Sequence, residues 1–552
     1  MISKMRPKLD IWTVITCLLL LFFLVFFVYP IFGILRESVV NPDGYFTYEN
    51  FYRFFSQPFF RVTLLNSFRV SIAITVVALL IGIPFSYFYS FYRLKGAKAL
   101  FVLSVLCCMS APFLGAYAWI LLLGRSGEIT LFLRNYLGIN IGSIYGFQGI
   151  LLVLSLQLFP LVFIYMNGAF KNIDNSLLEA SANLGCTGVR RFFKVILGLS
   201  MPTVLAASLI VFMQAFSDFG TPLLIGEGFR TFPVEIYNQY LGEVGRNFHF
   251  ASAISVIAIG ITALVFFAQK LLVSRYKFSI RALHPVEKKT PKGIKGLLMH
   301  VYCYLLVGIA FLPQIYIVYL SFRNTSGAII LEGYSLGNYR AAMDRLLVRS
   351  IQNTLFMGVV SIIVIVVLSV LIAYLVVRRT SVINNTIDTM SILPFVMPGA
   401  VVGIALVVAF NQGPLVLTGT VTIMILALII RRMPFTVRSS TATLMQIPMS
   451  IEEAAISLGS SKLKTFAGIT VPMMSAGIIS GAILSWVSIV TELASAIILY
   501  NNRTITLTMS AYVAITRGNF GLAAAFAAVL TVLTSVTLLI YLAISRSEDI
   551  RL

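Results

Sequence analysis

Residues 450–472 read SIEEAAISLGSSKLKTFAGITVP, a polar passage in a chain whose other long segments are apolar. Ile451, Ala454, Ala455 and Leu458 fall at i, i+3, i+4 and i+7, which makes one apolar helix face about two turns long. Ser450 and Glu453 have the spacing of a capping box, in which hydroxyl and carboxylate each accept an otherwise unpaired amide proton. Gly459 stands where a helix commonly ends in a left-handed residue, and Ser461 can cap a second helix. The expected unit is helix, sharp turn, helix. Its first helix is too short to hold alone and too polar to span a membrane. It is expected to dock its apolar face on a membrane domain and leave the other face free.

The unit occurs twice. Residues 176–185 read SLLEASANLG and residues 450–459 read SIEEAAISLG, an offset of 450 − 176 = 274. Ser176, Glu179 and Gly185 therefore repeat Ser450, Glu453 and Gly459, with Thr187 in the place of Ser461. The same offset takes Asp218 to Glu492; elsewhere it drifts, pairing Asn66 with Asn353 and Pro112-Phe113 with Pro394-Phe395. One copy alone would read as a well-capped connecting loop. Two matched copies amid divergent apolar sequence point to a symmetric pair of partners.

The 552 residues are 59% hydrophobic and 11% charged, which excludes a soluble globular class. About 20 apolar residues cross a hydrocarbon core of roughly 30 Å, and twelve such runs are present. Their cores lie near 11–35, 66–90, 99–123, 147–169, 202–225, 251–273, 297–320, 354–377, 389–410, 416–433, 473–499 and 521–544. The fold class is an all-α polytopic membrane protein with two pseudo-symmetric six-helix halves. The first half is 1–274, a basic linker follows at 275–296, and the second half is 297–552. An even number of spans per half gives both copies one orientation, related by an axis along the membrane normal.

The net charge of +21 does not indicate nucleic acid, because Lys and Arg gather in alternate loops as the positive-inside rule requires. Lys4, Arg6 and Lys8 precede the first span; Arg190, Arg191, Lys194, Lys462 and Lys464 flank the two polar units. Both termini and both units are thus expected on the cytoplasmic side. The first span is too long for a cleaved signal peptide and reads as a retained helix. The five cysteines have neither a disulfide framework nor a metal-ligand spacing.

Ionisable groups inside spans are costly and mark function or structure. Asp218 and Glu492 occupy equivalent positions in the fifth and eleventh spans. Two carboxylates facing one axis would attract a cation; equally, each could cap a broken helix end. Gln214 and Ser488, one turn earlier, are weaker pathway candidates. Pro112, Pro394 and Pro398 are expected to kink or break their helices. His249, His284 and His300 are scattered, and none pairs with Cys, Asp or Glu at a metal-ligand spacing.

The motif Glu453-Ala454-Ala455, Gly459, Ile469 and Pro472 resembles the EAA loop of permease subunits of bacterial ATP-binding-cassette importers. The first copy resembles it as Glu179-Ala180-Ser181, Gly185 and Val195, with Gly198 where the motif has proline and Pro202 four residues later. The turn there is expected to differ. The resemblance implies coupling loops at about 171–198 and 445–472 that fit two cytoplasmic ATPase subunits, with an extracytoplasmic binding protein delivering substrate. No phosphate-binding G-x-x-x-x-G-K-[ST] loop is present, so ATP and Mg are expected on the partner subunits and no cofactor on this chain.

SDFGTP at 217–222, ELASAIILY at 492–500 and RGNFG at 517–521 make the whole chain similar to ferric-iron importer permeases of the bacterial inner membrane. Thiamine, phosphonate, sugar phosphate or polyamine remain open as substrates. A rival of another class is an ion-coupled secondary transporter using Asp218 and Glu492; an enzyme ranks last, because no nucleophile, base and orienting group recur together.

Overall fold

A computed structural model describes residues 10–41, 43–140, 142–242, 247–275, 284 and 286–545. Lys4, Arg6, Lys8 and residues 276–283 and 285 of the linker lie outside the described residues. Among the described residues eight helices are long and apolar enough to cross a membrane, or eleven if each of three bent pairs is one span. The remaining expected span, the tenth, is the helix Val421–Leu444, whose apolar run is interrupted by Arg431, Arg432 and Arg438.

Proline places the breaks. The third span divides into Ala97–Met109 and Pro112–Leu123, and the ninth into Val382–Val396 and Gly399–Phe410, bent by 113°. Pro112 begins one second segment, and Pro398 immediately precedes the other. Pro112 is therefore the counterpart of Pro398, with an offset of 398 − 112 = 286. Pro394, the counterpart expected from sequence, lies inside its helix.

The two halves exchange contacts through their first helices, each of which also packs on the last span of its own half, Ile11–Ser38 on Phe248–Arg275 and Gly293–Ser321 on Phe520–Ser545. The first span, Ile11–Ser38, packs on the eighth span, Leu347–Arg378, and on both segments of the ninth. In return the seventh span, Gly293–Ser321, packs on the second, Pro58–Phe91, on both segments of the third and on the fourth, Phe147–Lys171. Trp12 stacks on Tyr374 at 4.3 Å between ring centroids. Thr16 donates to Asn384 at 3.2 Å, and Tyr302 donates to the Ile81 carbonyl at 2.7 Å. Nothing in the hydropathy pattern reveals this exchange, because it depends on which apolar helices become neighbours.

Small residues let other helices approach closely, as expected where lipid removes the hydrophobic drive for helix association. Gly477 and Gly481 of the eleventh span, Ser475–Val490, lie against Val421–Leu444. A Cβ on Gly477 would stand 2.0 Å from the Thr443 hydroxyl oxygen, and one on Gly481 2.6 Å from the Thr436 Cα. Ser439 donates to the Gly477 carbonyl at 2.7 Å.

The all-α expectation needs one amendment. Arg323–Ser326 and Ile329–Tyr334 form an antiparallel hairpin after the seventh span. Gly327, at φ +59°, provides the left-handed first turn position, and its carbonyl accepts from the Phe520 amide at 3.0 Å.

Gly477→Ala is expected to lower the stability of the full chain in nanodiscs by about 1–3 kcal/mol through overpacking. Gly260→Ala, where a Cβ meets nothing within 4 Å, is the matched control for thermal unfolding.

Candidate functional site

Both polar units fold as helical elbows. Asn175–Asn183 and Met449–Ser457 form their first helices. Gly185 at φ +75° and Gly459 at φ +92° end them in the left-handed region, as expected. Each end closes with paired Schellman bonds: Cys186 N to Ser181 O at 2.8 Å with Gly185 N to Ala182 O at 2.9 Å, and Ser460 N to Ala455 O at 3.1 Å with Gly459 N to Ile456 O at 2.9 Å. The second helices begin at Gly188 and Lys462. Ser461 caps the latter through the Lys464 amide, whereas Thr187 holds the corresponding position without a side-chain bond.

The capping boxes do not form. Asp174 caps the first elbow through the Ser176 amide at 2.9 Å, while Glu179 accepts from the Asn175 amide group at 2.7 Å. Pro448 precedes the second elbow's helix, which has no side-chain cap. Both helices start earlier than the Ser–Glu spacing implied, which carries Ser176 and Ser450 inside the first turn.

Each second helix contains a π-helical turn, Phe192–Ile196 and Phe466–Thr470, separated by the repeat offset of 274 (466 − 192). Bends of 74° and 69° follow, into Met201–Ser217 and Ser475–Val490. The two turns match although the first has Gly198 and the second Pro472, so the expected difference is absent.

The apolar face expected to dock on the membrane domain is divided: Ile451 packs against the core and Ala455 is half-buried, as expected, whereas Ala454 and Leu458 point outward. Leu458 is 90% exposed and Leu184 87%, and Ala180, Ala454, Glu179 and Glu453 are exposed beside them. Glu452 makes the inward contact, at 5% exposure. It accepts from Arg378 Nε at 2.8 Å and from the Tyr374 hydroxyl at 3.2 Å, while Arg378 Nη2 donates to the Ile447 carbonyl at 2.8 Å. The first elbow has buried Leu178 at the equivalent position. Phe466 packs on Trp12 and Tyr374, and Phe192 on Tyr87.

The described part of the linker also touches the first elbow. Asn175 N donates to the His284 carbonyl at 2.9 Å, and His284 N to Asp174 Oδ2 at 3.2 Å. The join is therefore more than a tether.

A cavity of about 120 Å³ lies between the halves, lined by Gln214, Ser217, Asp218, Arg431, Arg432 and Glu492 among others. Ser488 is half-buried and outside that lining. Asp218 accepts from the Thr221 amide at 3.0 Å at the start of Gly220–Ile225. Glu492 accepts from the Ser495 amide at 3.0 Å and the Ser495 hydroxyl at 2.9 Å, just before Ala496–Leu499. Both carboxylates cap a short helix that resumes after a break.

Glu492 also binds Arg431 and Arg432. Two guanidinium groups and two carboxylates leave the cavity with no net charge, so it is not the cation trap that the carboxylates alone suggested. These arginines were the missed residues. Their counterparts by the 274 offset are Gln157 and Leu158, and an adjacent arginine pair inside an apolar run was the available signal. Gly220 and Gly399 permit the crossing: a Cβ would lie 2.9 Å from Phe113 Cβ at one and 2.5 Å from Ala494 Cβ at the other. Among the described residues no group of three or more His, Cys, Asp or Glu could hold a metal ion.

Each half contributes one elbow and one capped helix break, and the two halves share one cavity. The family described as "Binding-protein-dependent transport system inner membrane component" matches residues 5–278 and 365–548. The chain belongs to this family. It is a multi-pass inner-membrane permease subunit of an importer, and not an enzyme in its own right.

The ferric transport system permease protein FbpB of Actinobacillus pleuropneumoniae is 27% identical over 97% of this permease and 78% of its own length. A putative ferric transport system permease protein of Haemophilus influenzae, FbpB 1, is 28% identical over 88% of this chain and 77% of its own. The spermidine/putrescine transport system permease protein PotB of Haemophilus influenzae is 31% identical over 47% of this chain and 94% of its own length. That half-length match agrees with a fused duplication.

Glu492→Ala, which leaves the buried Arg431 and the partly buried Arg432 without their carboxylate, is expected to cost about 3–5 kcal/mol. Asp218→Ala, which removes only a helix cap, should cost about 0.5–2 kcal/mol. Thermal unfolding of both variants checks the order.

Proposed function

We propose that this permease moves ferric iron from an extracytoplasmic binding protein into the cytoplasm, driven by two ATPase subunits seated on its elbows. The observation that carries the seating is the pair of matched elbows, each presenting a nearly bare leucine, Leu184 and Leu458, beside an exposed glutamate. An exposed apolar tip of that kind on a rigid, glycine-closed turn suits insertion into a cleft. ATP and Mg belong to the partner subunits. Closure of the ATPase pair pushes on the elbows, and the bent second helices carry that displacement to Asp218 and Glu492 along Met201–Ser217 and Ser475–Val490. Basic residues in the elbows and alternate loops support a cytoplasmic position for both termini.

The iron reading is supported by the printed function of the two long relatives, which cover both halves. A cavity without net charge suits passage rather than storage of a cation, since a tight site would retain its cargo.

Vesicles containing the permease, its ATPase subunits and binding protein should accumulate labelled ferric iron only with ATP. Uptake driven by an ion gradient without any ATPase would overturn the proposal. Leu458→Asp should weaken ATPase docking by about 10- to 100-fold, from loss of about 1.5–3 kcal/mol of apolar burial, with the chain still inserted; docking at full affinity would remove the elbow's assigned role. Gly459→Val adds about 1–2 kcal/mol of left-handed backbone strain and should separate ATP hydrolysis from uptake in the same vesicles.

A further inference from the structure

On the side opposite the elbows, a second pocket of about 380 Å³ opens in the first half, lined by Arg125, Tyr145, Glu227 and Arg230 among others. Its place follows from chain order. Arg125 comes just after the third span, and Tyr145 just before the fourth, Phe147–Lys171, at the end remote from the elbow helix Asn175–Asn183. Pro222, Leu223 and Leu224 also line this pocket, whereas Asp218, Phe219 and Gly220 line the central cavity. The short helix Gly220–Ile225 therefore borders both spaces.

A glutamate holds each arginine. Arg125 Nη2 donates to Glu227 Oε1 at 2.7 Å, and its guanidinium lies over the Tyr145 ring, 5.0 Å from the centroid. Arg230 Nη1 stands 3.7 Å from Glu235 Oε2; Glu235 is buried, and its other oxygen accepts from Gln239 at 2.7 Å. Glu227, at φ +47°, is the one non-glycine in the left-handed region among the described residues, a strained backbone that Arg125 holds. The second half lacks these charges. Phe232–Leu241 repeats as Leu507–Thr516, an offset of 507 − 232 = 275, which carries Glu227, Arg230 and Glu235 to Asn502, Ile505 and Ser510. The connection 411–420, which answers to the one holding Arg125, has no charged residue.

The choice of cation narrows the ligand. Among the described residues every lysine lies on the elbow side, and the basic side chains of the opposite face, histidine aside, are arginines. Arginine presents a rigid planar fork that meets a carboxylate with two parallel hydrogen bonds, which the ammonium of lysine cannot do. Arg125 is 70% exposed and Arg230 49%, so both forks keep faces open to an incoming group. Because partners already hold them, little side-chain freedom is lost on binding.

We propose that this pocket receives a carboxylate side chain of the extracytoplasmic binding protein and fixes which side of that protein faces the first half. The inference rests on the delivery reading above. Two arginines and two glutamates carry no net charge between them, so a small free oxyanion gains little there. A carboxylate carried by a docking protein instead arrives at high effective concentration. On Arg125 it competes with Glu227, two residues beyond Gly220–Ile225. The turn so released ends the helix whose start Asp218 caps, which ties docking outside to the break at the central cavity.

The test measures docking of the binding protein used in the uptake vesicles to the full-length permease in nanodiscs with its ATPase subunits. Arg125→Gln/Arg230→Gln should weaken docking about 10- to 100-fold, with the ATPase subunits still seated on the elbows as evidence of an intact fold. Arg125→Gln alone, at the more exposed position, should show part of the same loss. Arg340→Gln/Arg345→Gln removes equal charge from exposed positions on the same face of the second half and should leave docking nearly unchanged. Glu227→Gln removes the competing carboxylate, so docking should be as tight or tighter. Undiminished docking without Arg125 and Arg230, equal loss in the second-half variant, or a loss in Glu227→Gln that matches the arginine pair overturns the pocket's role. So does tight binding of inorganic phosphate by the permease alone that the arginine pair controls while docking is unaffected. A wild-type chain that docks no binding protein sinks the delivery reading; docking indifferent to both arginines sinks the pocket alone.

Discussion

A helix broken inside a bilayer exposes amide and carbonyl groups where no water can satisfy them, and this protein breaks two equivalent helices at its centre. The remedy is the same in both halves: a carboxylate three residues ahead of the resuming backbone accepts its amide, Asp218 for Thr221 and Glu492 for Ser495. Everything near the cavity is arranged around these two caps. Gly220 admits the third span, Gly399 admits Ala494, and the arginine pair is tolerated inside the membrane because Glu492 is already there.

Duplication preserved geometry more faithfully than chemistry. The elbows keep their left-handed glycines, Schellman ends and π-helical turns, all features of backbone conformation. Their anchors differ: Leu178 seats one by apolar burial, and Glu452 seats the other by an ion pair with Arg378. The caps likewise diverge, Asp218 with neutral company and Glu492 with two guanidiniums. Two halves that began alike thus meet as unequal partners across one cavity.

What could be read from the residues follows the same division. Periodicity in the repeat located both elbows, and glycine located their turns, because a left-handed residue is a local demand. Asp218 and Glu492 stood out because charge in an apolar run is locally conspicuous, and one of the two roles weighed for them, capping, is what the geometry shows. The cap positions were misplaced by two residues in each elbow: Asp174 takes the Ser176 amide in one, and Pro448, which has no side-chain acceptor, precedes the other helix. Glu452, the pairing of Arg431 and Arg432 with Glu492, and the exchange of contacts through the first helices all depend on which distant segments become neighbours. A hydropathy pattern has no term for that.

The exchanged contacts carry a consequence for how such a molecule holds together. Ile11–Ser38 lies between the last span of its own half and the second half, and Gly293–Ser321 between the last span of its own half and the first. Cohesion between the halves is therefore built into the membrane, and a nick in the basic join would leave two fragments still clasped. What covalent continuity secures is stoichiometry: one half of each kind, and so one asymmetric channel rather than a mixture of matched pairs.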